Sequence, residues 1–82
     1  MVWTEEMQMT LDRLQIGKKA RIAVVKGQGA LRRRLLDMGL TPHTEVMVRK
    51  VAPMGDPMEI QLRGYELTLR KDDARDILVE EG

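Results

Sequence analysis

The chain has 82 residues, 14 Lys plus Arg against 13 Asp plus Glu, a formal net charge of +1, and neither Cys nor Phe. That is one small domain, without a disulfide framework, a Cys zinc site, an iron–sulfur cluster or a thiol nucleophile. The charge balance gives no electrostatic ground for nucleic acid or an anionic membrane surface, and no apolar run approaches the roughly 20 residues of a membrane helix.

Met1–Met9 has no clean hydrophobic period and lacks the basic flank and cleavage pattern of a signal peptide. It reads as an N-terminal arm with Trp3 as apolar anchor, ahead of a single domain over residues 10–82. Thr10–Leu14 fits one helical turn capped by Thr10 and closed off by Gly17. Lys18–Lys26 predicts the first strand, with Ala20, Ile22 and Val24 alternating against Arg21, Ala23 and Val25. After Gly27-Gln28-Gly29, the spacing of Leu31, Leu35 and Met38 predicts a helix over Ala30–Met38 with those three residues on one face. Gly39 stands where a left-handed cap is wanted, with Leu40 folding back as its apolar contact. Thr41–Thr44 is a turn around Pro42.

Glu45–Val51 predicts the second strand, and Ala52–Pro57 is a loop with two prolines and Gly55. Met58, Ile60 and Leu62, then Tyr65, Leu67 and Leu69, alternate with polar residues on either side of Gly64, which predicts a tight hairpin with one apolar face. Lys71–Asp76 is a charged helical turn, and Ile77–Val79 a last short strand. Five short strands with one helix between the first and second make a mainly β, small, partly open barrel. Aromatics are only 2% of the residues, so its core must come from Leu, Ile, Val and Met.

The glycine turn before the helix is a weak anion-site signal. Arg32 occupies the place of the third Gly of a dinucleotide fingerprint, and no Gly-Lys-Ser/Thr follows. Arg32, Arg33 and Arg34 fan around the helix rather than forming one patch, and Arg33 and Arg34 are spaced to reach Asp37. Cations early in a helix oppose its macrodipole, which leaves a partner-binding role open for them. His43 is the only His, and one His without Cys does not build a tetrahedral metal site in one chain. Without Ser, Cys or a second His, a Ser triad and a Cys–His pair are excluded, and no catalytic or metal-ligating set is expected. Small barrels that hold nucleic acid present aromatic platforms, and here Tyr65 belongs to the apolar face and Trp3 to the arm. Met54, at a loop tip, is the best placed of the 7 Met for an adaptable docking surface.

Leu31 to Pro42 (LRRRLLDMGLTP) resembles the helix and turn of the FeoA family, small proteins of ferrous iron uptake. Ala52 to Ile60 (APMGDPMEI) resembles that family's Pro-x-Gly-Asp-Pro loop and following strand, and Arg63 to Arg70 (RGYELTLR) its hairpin. Asp73-Ala74 with Ile77 to Val79 is similar to its closing strand, so the resemblance runs from Thr10 to Glu80. Two positions depart from the family pattern: His43 stands where Gly is usual, and Met54 where Leu is usual.

The resemblance implies an SH3-like barrel in a cytoplasmic accessory protein of ferrous iron transport, with the membrane GTPase transporter FeoB as partner. The residues themselves give no ground for a cofactor, for nucleic acid or for direct insertion into the membrane. Weak Fe2+ binding enters through the family alone. We expect a non-enzymatic binding module that touches its partner through Arg33, Arg34, Leu36 and Met54. Leu36 is chosen because it lies off the Leu31, Leu35, Met38 face. The competing readings are a weak transition-metal sensor using His43 and a nucleic-acid-binding barrel.

Overall fold

Six antiparallel strands form one curled sheet in the order β1-β6-β2-β3-β4-β5. They are β1 (Gln8–Thr10), β2 (Lys19–Val25), β3 (Glu45–Val51), β4 (Met58–Leu62), β5 (Tyr65–Leu69) and β6 (Ile77–Glu81). Helix α1 (Gly29–Asp37) links β2 to β3, and the one-turn helix α2 (Lys71–Ala74) links β5 to β6. A 3-10 turn, Leu11–Arg13, follows β1. The computed structural model describes residues 8–81. The anchor role expected of Trp3 lies outside them. Gln8 and Met9, expected in the arm, are part of β1, which pairs with β6 and supplies the sixth strand.

The barrel closes over Ile22, Leu35, Leu40, Val48, Ile60 and Val79, all fully buried. Met58 joins them, while Met9 and Met38 pack half-buried against the same core. Thioethers thus fill volume that Phe supplies in other small barrels. Strand β2 departs from simple alternation. Its register against β6 shifts between Ile22 and Val24, so the extra residue at Ala23 turns Val24 outward and Val25 inward. Val24 was expected on the Ala20–Ile22 face and is 43% exposed. Among the described residues, no helix is long and apolar enough to cross a membrane.

The C-terminus of α1 is fixed by a Schellman motif. The Leu40 amide donates to the Leu35 carbonyl at 3.1 Å, and the Gly39 amide to the Leu36 carbonyl at 3.0 Å. Gly39 takes φ +98° as that motif requires, and Leu40 drops into the core. Thr41–Thr44 then makes a hydrogen-bonded turn with Pro42 and His43 at its centre, His43 at φ 73°. That is the position which favours Gly or Asn in a type II turn. The strain is held in place from outside: the His43 amide donates to the Ile22 carbonyl at 2.8 Å, and the Ile22 amide to the Thr44 carbonyl at 2.9 Å. His43→Gly is therefore expected to raise stability by up to about 1 kcal/mol, read as the midpoint of urea unfolding.

The β4–β5 hairpin is a two-residue turn with φ 49° at Arg63 and 84° at Gly64, the left-handed pair of a type I′ turn. Arg63 is unusual there, and its side chain supplies a reason. Its guanidinium donates to the Thr41 and Thr44 hydroxyls at 3.2 and 3.0 Å, tying the hairpin to the turn after α1.

Candidate partner-binding surface

Met54 is 94% exposed, the largest exposure among the big apolar residues described. Its loop is nonetheless well fixed. The Ala52 amide donates to the Pro57 carbonyl at 3.0 Å and closes the loop, and the Gly55 amide turns back to the Ala52 carbonyl at 2.7 Å. Asp56 then accepts a hydrogen bond from the Lys71 amide at 2.9 Å, so it caps the first turn of α2 from a distant part of the chain. A carboxylate at a helix N-terminus satisfies an orphan donor and opposes the positive end of the helix. Asp56→Ala is expected to cost about 1 kcal/mol and to loosen the loop. Thermal unfolding checks the first effect, and faster amide exchange at Gly55 the second.

Helix α2 is also tied to α1. Arg34 donates to Asp73 at 3.1 Å, with the Arg side chain 61% exposed and the Asp side chain 16%. Arg34 was expected to reach Asp37. It crosses to Asp73 because a carboxylate largely removed from water attracts a cation more strongly than a solvated one. The Met54 loop, α2 and the Arg34 side of α1 thus form one continuous face, with Asp56 and Asp73 as its joints.

The four residues expected to meet a partner divide over this geometry. Met54 and Arg34 lie on the face just described. Arg33 is exposed and has no ion-pair partner among the described residues. Leu36 is half-buried and packs against the core like Leu31 and Met38, so it is not an outward residue of a separate face. At about 100° per residue, Leu36 and Arg34 stand on opposite flanks of buried Leu35. Arg32, on Leu36's flank, donates to the Val25 carbonyl at 3.3 Å, which places that flank against the end of β2. Sequence reading missed Asp56 and Asp73. Each acts across a long stretch of chain, and neither has a local signal beyond its charge.

His43 is exposed and lines a shallow depression with Pro42, Thr44, Glu45 and Arg63. Among the described residues, no group of three or more His, Cys, Asp or Glu is placed to hold a metal ion.

Residues 9–81 match the FeoA domain. The chain belongs to the FeoA family. A FeoA-like protein from Clostridium acetobutylicum is 40% identical and superposes with a TM-score of 0.84, covering 92% of this chain and 87% of that one. FeoA of Stenotrophomonas maltophilia, solved with zinc and described as a prokaryotic SH3 domain protein, is 28% identical with a TM-score of 0.78. That match covers 88% of this chain and 89% of the other. The SH3-like, partly open barrel expected from the FeoA resemblance is the fold observed. An Fe(2+) transport protein A/Fe(2+) transporter FeoB fusion protein from Porphyromonas gingivalis is 38% identical over 72 residues, 88% of this chain. The chain spans 8% of that fusion protein's length.

Proposed function

We propose that this FeoA-family chain is a cytoplasmic, non-enzymatic accessory module of ferrous iron transport that acts by binding the cytoplasmic GTPase domain of a FeoB-type transporter. The observation that carries this reading is the fusion of a FeoA-like segment to a FeoB transporter in one relative. Two units fused in one protein are held within reach of each other, which supports a working contact between them. The surface supports the same reading. A well-fixed loop that holds one large apolar side chain in water costs little entropy to bind, and its Met adapts to the shape it meets.

Contact centres on Met54, with α2 beneath it and Arg33 and Arg34 of α1 at its margin. Leu36 contributes its exposed edge on the opposite flank. Calorimetric titration of the purified FeoB cytoplasmic domain with this protein tests the proposal. Saturable heat at a one-to-one ratio is expected, and no heat at any nucleotide state of the GTPase would remove it.

A further inference from the structure

Sulfur in this chain means methionine, because there is no Cys. A thioether takes up one oxygen from a hydroperoxide and becomes a polar, chiral sulfoxide, and access of the oxidant decides which Met reacts first. The five described methionines differ widely in that access. Met58 is 2% exposed, Met9 and Met38 are half-buried against the core, and Met47 is half-buried in β3. Met54 is 94% exposed.

The loop that carries Met54 holds its shape without the sulfur. Its fixing bonds run from the Ala52 amide to the Pro57 carbonyl, from the Gly55 amide to the Ala52 carbonyl, and from the Lys71 amide to the Asp56 carboxylate. None of them uses the Met54 side chain, which also lies outside the hydrophobic core. A change confined to its Sδ therefore alters what the loop presents and spares the fold that presents it. At Met58 the same change would put a sulfoxide oxygen into the core without a donor and destabilise the whole domain.

We propose that Met54 is a peroxide-sensitive modification site that switches off the docking role proposed above, on which this regulation rests. The Sδ lone pair attacks one oxygen of hydrogen peroxide, and the O–O bond breaks as the S–O bond forms. The hydroxyl proton on the sulfonium then passes to the departing hydroxide, which leaves as water. The thioether is oxidised by two electrons and the peroxide is reduced by two. The product carries a strong acceptor where the anchor was apolar, so an apolar pocket on the partner would bury that oxygen unpaired. Ferrous iron and hydrogen peroxide together generate hydroxyl radical. A contact that loosens under peroxide would therefore limit ferrous iron transport when the two would meet.

The test oxidises the whole chain alone with dilute hydrogen peroxide, removes the peroxide, and then adds the untreated FeoB cytoplasmic domain. Peptide mass spectrometry over the time course should find sulfoxide at Met54 about tenfold or more faster than at Met58. Protein oxidised at Met54 should bind about tenfold or more weakly, with Tm nearly unchanged. Methionine sulfoxide reductases acting on both epimers should restore the parent affinity. Met54→Leu has no sulfur to oxidise there, so its affinity, whatever its starting value, should be the same before and after peroxide.

Sulfoxide that forms no faster at Met54 than at Met58 overturns the selectivity. Complete oxidation of Met54 with unchanged binding overturns the switch while the docking role stands. Peroxide-treated Met54→Leu that loses affinity as the parent does assigns the effect to another residue and also overturns it. A fall in Tm that tracks Met54 oxidation moves the effect to the fold and overturns a local switch. No binding by the untreated parent overturns the docking role and the switch with it.

Discussion

Replacing Gly39 by alanine is expected to destabilise the protein by about 2–4 kcal/mol, the largest stability effect of any single exposed or half-buried position. Two costs coincide there. The residue is at φ +98°, where a Cβ is strained by about 1 kcal/mol or more. The Tyr65 hydroxyl, which donates to the Met38 carbonyl at the end of α1, also occupies the space that a Cβ would need. Either the tyrosine moves and the bond is lost, or the backbone of the cap shifts, and overpacking of this kind costs about 1–3 kcal/mol.

Tyr65→Phe alone loses only the hydrogen bond, about 0.5–1.5 kcal/mol. The double variant removes the atom that clashes, so it should be less destabilised than the sum of the two single changes. Urea unfolding of the four proteins in the cycle measures this. Strict additivity would mean that Tyr65 does not shape the cap.

The second large effect is expected on binding rather than folding. Met54→Asp should weaken association with the FeoB cytoplasmic domain by about 2 kcal/mol or more, roughly thirtyfold. The side chain is 94% exposed, so Tm should stay within the small range of ordinary surface changes. Met54→Leu keeps an apolar side chain of similar volume and should retain most of the affinity. If both variants bind like the parent protein, Met54 is not the anchor. If Met54→Asp lowers stability as much as binding, the loop serves the fold instead.

Much of this architecture was legible from residue patterns. The alternation over Met58–Leu62 and Tyr65–Leu69 predicts two strands whose observed bounds are the same; burial alternates strictly along the first, whereas Tyr65 in the second, expected on the apolar face, is 43% exposed. Gly39 and Leu40 announce the helix end because only a residue at positive φ closes a Schellman motif easily. The alternation in β2 misleads at Val24, since a bulge leaves no mark in a run of small apolar residues. The first strand is also missed, because three residues without strong alternation gain their structure from β6 and not from themselves.

The candidate surface was less legible. Met54 stands out as a loop-tip methionine, and its exposure follows from that place. Its neighbours were set by contacts far apart in sequence. Asp56 caps α2, Asp73 takes Arg34, and Arg32 reaches the Val25 carbonyl at the end of β2. Leu36 was chosen for lying off the core face, but it is partly buried against the core, as Leu31 and Met38 are. The five described methionines divide in a similar way: Met58 fills the core, Met9 and Met38 pack at its edge, Met47 is half-buried, and Met54 stands almost wholly in water.

The proposed docking on FeoB centres on one face, built from the Met54 loop, α2 and the arginine side of α1. An amide nuclear magnetic resonance spectrum of the labelled protein, titrated with the FeoB cytoplasmic GTPase domain, tests that most directly. Shifts are expected to concentrate at Met54–Asp56, Lys71–Arg75 and Arg33–Arg34, with the Gly17 and His43 turns unmoved. An unchanged spectrum, or shifts centred on the β1 edge and the Gly17 turn, would contradict it.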